Sequence, residues 1–145
     1  MIQPIIVKGG KDMKRKITFV ALFLLIVATV IFLQFGREAT VNHAETHSNP
    51  QGYEAHITIT ANKIHIFNKN KLIQEITRKT IDNTFKNMMF SYDILGYPNE
   101  VRFTVYANSL SKHLQIPSFT ATYTQEIPYQ YNIKDNPEMF TLSFD

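Results

Sequence analysis

Residues 53–67, YEAHITITANKIHIF, decide how the chain is read. Ile57, Ile59 and Ala61 alternate with Thr58 and Thr60, and Ile64 and Ile66 alternate with His65 and Phe67. A period of two is the mark of a strand with one buried face. A two-residue turn at Asn62-Lys63 sets Ala61 opposite Ile64 and Ile59 opposite Ile66, so that the aliphatics share one side of a hairpin. One long bent strand is the alternative.

Downstream, Ile73, Ile76, Ile81, Phe85, Met88 and Met89 recur near helical spacing, with Lys, Arg, Asp and Asn on the other side. The spacing predicts a helix over 71–90, with Asn70 as N-cap and 77–89 as its firmest part; LIQEI at its start also fits a strand. Gly96-Tyr97-Pro98-Asn99 is a turn. Val101, Phe103, Val105 and Ala107 alternate with Arg102, Thr104 and Tyr106, which predicts a strand. SLSKHLQIP, 109–117, reads as a loop or short helical turn. Phe119, Ala121 and Tyr123 alternate with threonines in another strand. Residues 127–134 continue it past Pro128 or form an edge strand. Phe140, Leu142 and Phe144 alternate in a last strand. The expected class is α+β, in the order β-β-α-β-β-β. Short turns between strands imply antiparallel pairing, with one helix on one face of the sheet.

Upstream, residues 36–54, GREATVNHAETHSNPQGYE, are polar and end in the turn-like Asn49-Pro50-Gln51-Gly52. They read as a linker or stalk leading into a domain at 55–145. Before them, residues 17–35, ITFVALFLLIVATVIFLQF, carry no charge and only Thr18, Thr29 and Gln34 as polar side chains. As a helix this run is about 28 Å long, close to the thickness of a bilayer's hydrocarbon core. It is apolar on every face, and so short a chain cannot surround it. It is longer than a signal-peptide core and lacks a small-x-small cleavage site, which argues for an uncleaved anchor. Lys14, Arg15 and Lys16 precede it, so the N-terminus is expected in the cytoplasm and the C-terminal segment outside a cell membrane crossed once. The span contains no ionisable residue and no GxxxG.

Residues 1–16 form a basic tail. Within it, Met13 starts MKRK just before the apolar run. The codons of residues 8–12 can spell a ribosome-binding sequence, so residues 1–12 are expected to be untranslated leader, with the natural chain starting at Met13. Abundant Asn, Ile, Lys and Thr suggest an A/T-rich bacterial genome.

The net charge of +3 divides unevenly. Residues 1–16 hold five Lys/Arg and one Asp, whereas residues 36–145 hold ten Lys/Arg and eleven Asp/Glu. The large segment therefore has no basic excess, which argues against nucleic-acid binding. Cysteine is absent, which excludes disulfides and thiolate metal sites.

Motifs that would carry chemistry are sparse. There is no GxSxG and no glycine-rich phosphate loop. His43-Ala44-Glu45-Thr46-His47 places two histidines four apart, a zinc-compatible spacing on a helix. The glutamate is misplaced for HExxH, however, and no third ligand is near in sequence, so the segment reads as solvated linker and no metal is assigned. His56 and His65 fall on the polar side of the expected hairpin, and His113 in a loop. Asp93, Glu100, Glu126, Asp135 and Glu138 are scattered. Neither a cofactor nor catalysis is expected. Tyr106, Tyr123, Tyr129 and Tyr131 form the candidate interaction surface, because exposed tyrosines favour protein interfaces. The sequence reading is thus an anchored extracytoplasmic interaction or accessory module. It contacts membrane lipid through residues 17–35 and a second envelope protein through its outer domain. The alternative is an extracytoplasmic ligand-binding or hydrolytic domain.

Overall fold

A computed structural model describes residues 9–145, with side chains from Met13 onward; the expectations for the basic tail and leader fall largely outside these residues. An N-terminal helix, α1 (Gly9–Phe35), precedes a five-stranded sheet made of β1 (Thr40–Asn49), β2 (Gly52–Thr60), β3 (Glu100–Tyr106), β4 (Phe119–Gln125) and β5 (Phe140–Phe144). Helix α2 (Lys69–Ile81) joins β2 to β3, and the short α3 (Ser109–His113) lies between β3 and β4. The strands follow the order β1-β2-β3-β4-β5. The α+β class stands, and the order is roughly the expected β-β-α-β-β-β, with α3 added between β3 and β4.

Of the first two strands one is as expected, since β2 takes in the alternation of Ile57 and Ile59, but its hairpin partner is not. The linker expected at 36–54 is instead the edge strand β1 and its hairpin turn. Asn49 pairs with Gly52, and the Asn49 carboxamide oxygen accepts from the amides of Gln51 and Gly52. The expected partner strand at 64–66 does not form. Asn62 has φ 56, a left-handed backbone that ends the ladder and turns the chain out of the sheet. Ile64 is exposed as a result. Residues 127–134 form no strand either; they are a loop in which Ile133 drops into the core.

The sheet is mixed rather than wholly antiparallel, because β2 and β3 run parallel. Parallel neighbours need a crossover, and residues 61–99, with α2 inside them, provide it. The remaining neighbours pair antiparallel.

Helix α2 is shorter than its sequence pattern. Its N-cap is Asn68, whose carboxamide oxygen accepts from the Lys71 amide at 2.9 Å. It buries Leu72, Ile73, Ile76 and Thr80. It stops at Ile81 because Asn83 adopts φ 56, while the amides of Asn83 and Thr84 bond back to Thr80 and Lys79. That is a Schellman arrangement. The Asn83 side chain then clamps the chain onward, bonding both the amide and the carbonyl of Phe90 at 2.7 and 2.8 Å. Phe85, which suggested a longer helix, is buried from this loop instead. Asn83→Ala is expected to lower stability by about 2 kcal/mol, through a left-handed alanine and two lost hydrogen bonds. Asn83→Gly should recover the backbone share, and urea unfolding of both variants checks this.

The core lies on one face of the sheet. Val41, Tyr53, Ala55, Ile57, Ile59, Val101, Phe103, Val105, Phe119 and Ala121 meet α2, Phe85 and Ile133 there. Among the described residues the opposite face is largely polar, with Glu45, His56, Arg102, Thr104, Thr120 and Ser143 from the five strands, and it is covered in part by Tyr129.

Helix α1 stands off the domain, with its side chains exposed from Met13 to Leu33. Met13–Phe35 is long and apolar enough to cross a membrane. Its last turn nevertheless docks firmly. Gln34 is buried; its Oε1 accepts from the amides of Ile64 and His65, both at 3.0 Å, and its Nε2 donates to the His65 carbonyl at 2.8 Å. Arg37 Nη2 donates to Asn62 Oδ1, and Asn62 Nδ2 donates to the Glu38 carbonyl. The apolar helix therefore runs into the domain over four residues, with no stalk between.

Candidate functional site

Two parts of the domain gather chemistry. The first is a corner of the open sheet face. An irregularity in β1 sets it up: Val41 pairs with Ile59 and His43 with Thr58, leaving Asn42 as an extra residue. The bulge reverses the alternation. Val41 points into the core, yet His43, Glu45 and His47 point to the open face, while Ala44 faces Ile57. Glu45 lies directly across from His56, and His47 across from Glu54.

Glu45 is the centre of the group. Its Oε1 lies 3.8 Å from His47 Nε2 and 3.8 Å from His56 Nδ1, and its Oε2 lies 3.5 Å from His43 Nε2. The His47 and His56 rings meet edge to face with centroids 4.9 Å apart. His56 is the most enclosed of the three, its side chain 27% exposed, and its Nε2 is buried without a hydrogen-bond partner. Glu54 Oε2 lies 3.9 Å from that nitrogen. The other Glu54 oxygen accepts from the Tyr129 hydroxyl at 2.8 Å. Donating to Glu54 raises the Tyr129 phenol above its usual range. Glu100 continues the row, and its carboxyl is pushed up first by burial and then by the Glu54 charge. Three carboxylates thus share this corner with Arg102.

The histidine pair read as solvated linker is therefore on a strand. A third side chain of ligating type, His56, joins it from the neighbouring strand, eleven residues away from Glu45. Only the hairpin register reveals it. His65 sits outside this group, against Phe67, and His113 closes α3.

The four tyrosines do not converge. Tyr106 lies on the open face at the end of β3, whereas Tyr123 pairs with Val101 on the core face and its ring stands 6.4 Å from Phe103. Tyr129 has φ 62 and reaches Glu54. Tyr131 is fixed through its backbone, its amide donating to Gln125 and its carbonyl accepting from Asn99. All four are half-buried.

The second part is the end of the domain where α1 enters. The loops after β2 and β3 interlock there, the Lys63 amide donating to the Ala107 carbonyl at 2.7 Å. They expose Ile64, Phe67, Leu110, Leu114 and Ile116, five apolar side chains that solvent would not favour. Residues 61–71 and 107–119 carry Lys63, Lys69, Lys71 and Lys112 and no acidic residue. The acidic residues closest to these loops are Glu38, whose carbonyl accepts from Asn62 and whose carboxylate pairs with Lys79 and Lys86, and Glu75 on α2. A groove of about 380 Å³ between the end of α1 and the start of α2 is lined by Phe35, Ile66, Phe67 and Leu72 among others.

No family model, characterised protein or solved structure matches the chain.

Proposed function

We propose that the chain is a membrane-tethered accessory module of a bacterial cell envelope. Helix α1 crosses the bilayer with its N-terminus in the cytoplasm, and the α+β domain rests outside on the membrane surface. The observation that carries this reading is the continuity between the apolar helix and the apolar, basic end of the domain. Gln34 locks the two together, so an α1 in lipid brings Ile64, Phe67 and the α3 loop to headgroup level. Aliphatic and aromatic side chains there partition into the interface, and the lysine stems reach up to phosphates. The open sheet face then points away from obstruction and is available to a second envelope protein. The role is that of a binding module rather than a catalyst.

The test is fractionation of cells making the full chain. The protein is expected to stay in the membrane after alkaline carbonate extraction, and protease added outside intact protoplasts should digest the domain. Release by carbonate, or protection of the domain until the cells are lysed, would refute this reading. The histidine corner favours a second reading, the extracytoplasmic ligand-binding domain, and gives it a specific ligand class.

A further inference from the structure

We propose that Glu45, His47 and His56 form a binding site for a divalent transition-metal ion, with Glu54 as the carboxylate that orients His56. The inference stands on the β1–β2 hairpin alone and does not require α1 to lie in a membrane.

The geometry comes from strand periodicity. Residues at alternate positions of a strand point the same way, and a directly opposed residue on the antiparallel neighbour joins them. Glu45 and His47 are such an alternate pair, and His56 is the residue opposed to Glu45. Their ligand atoms all lie within 4.8 Å of one another. A tetrahedral zinc ion with bonds of about 2.0–2.1 Å needs donors about 3.3 Å apart. The observed separations of 3.8 Å from Glu45 to each histidine close by small rotations of the exposed Glu45 and His47 side chains. His43 Nε2 lies 3.5 Å from the second Glu45 oxygen, outside this set of three, and water fills the remaining position of a four-coordinate ion.

An independent observation points the same way. His56 Nε2 is buried and unpartnered, an arrangement that costs stability if nothing uses it. Metal on Nδ1 leaves the proton on Nε2, and a ligating histidine donates that second N–H to a carboxylate. Glu54 Oε2 stands 3.9 Å away to receive it, and the Tyr129 hydroxyl steadies the other Glu54 oxygen. The order is metal, His56, Glu54, Tyr129.

The donor set names the class of ion. Imidazole nitrogens with one carboxylate suit zinc, nickel, cobalt or copper(II), whereas calcium and magnesium take oxygen donors. Glu45, Glu54 and Glu100 against Arg102 leave the corner negative, which draws cations to it.

The experiment is a zinc titration of the metal-free full chain in detergent, without a histidine tag, against a chromophoric chelator at pH 7.5. One equivalent is expected to bind with a Kd of about 1 µM or tighter. His47→Ala and His56→Ala should weaken binding by about 100-fold, and Glu54→Gln by about 10-fold. His113→Ala, at the far end of the domain, should bind as wild type. Cobalt(II) added to the wild-type chain should give the visible absorption of a four-coordinate site, a readout that needs no variant. Absence of saturable zinc binding below about 100 µM by the wild-type chain, or equal losses in His113→Ala and His56→Ala, would overturn the proposal.

Discussion

Alanine at Phe103 is expected to destabilise the domain by about 3–5 kcal/mol, the usual cost of deleting a fully buried aromatic side chain. Phe103 sits at the middle of the middle strand, fully buried, with Ile57 beside it on β2 and Ala121 on β4. Ala121 is too small to move into the gap. The backbone around it is fixed by ladders on both sides, so the cavity cannot collapse. A domain of this size has about 5–15 kcal/mol in total. The substitution should therefore leave a chain that unfolds at much lower urea, read from the near-ultraviolet circular dichroism of its tyrosines. Phe103→Leu, which refills most of the volume, should lose well under half as much. Equal midpoints for wild type and Phe103→Ala would contradict the assignment of this side chain to the centre of the core.

The second large effect is expected at Gln34. Gln34→Leu removes one acceptor that serves two backbone amides and one donor that serves a carbonyl. Three hydrogen bonds at about 0.5–1.5 kcal/mol each are lost, so the docked arrangement of α1 should weaken by about 2–4 kcal/mol. The domain's own core does not include Gln34 and should keep its stability. The expected signature is local: hydrogen exchange at Ile64 and His65 accelerates by about 30-fold or more, while that of Phe103 and Val105 does not change. Unaltered exchange at Ile64 would mean that the helix is held by something other than this side chain.

The elements that were legible in the sequence share one property: their buried faces are strongly apolar. Phe103 and its alternate neighbours, Phe119 with Ala121, and the uncharged run before Phe35 announce themselves because burial demands it. Strand β1 did not, for two reasons. It is an edge strand whose core-facing residues after Val41 are Ala44, Thr46 and Ser48, so little apolar area marks its inner side. The extra residue at Asn42 also breaks the period within the strand. The helix was overextended for the opposite reason. Phe85 and Met88 do pack near the core, but from a loop, and spacing alone does not distinguish a helical face from a loop that follows one. Parallel pairing of β2 with β3 was within reach, because residues 61–99 are too long for a hairpin and contain a helix. Short turns at the other junctions suggested a uniformly antiparallel sheet instead.

The candidate metal corner was half legible. His43, Glu45 and His47 stand out in any reading, but their relation to His56 depends on a register fixed by the turn at Pro50-Gln51, inside a polar stretch whose composition reads as linker. Tyr129 was singled out as a surface aromatic, and its contact with Glu54 gives it a different place, as a support behind a histidine.

Asn42 has a consequence that reaches beyond local geometry. The turn and the pairing with β2 fix the faces of residues 43–49, and the extra residue only lets Val41 point inward although it stands an even number of positions from His43, Glu45 and His47. Deleting Asn42 would leave Val41 beside Ile59 and His43 beside Thr58, so the imidazoles would keep their side of the sheet. What would change is the path from α1 to the hairpin, one residue shorter. The bulge is thus a buffer: a residue gained or lost upstream is absorbed there and is not passed on to the histidines.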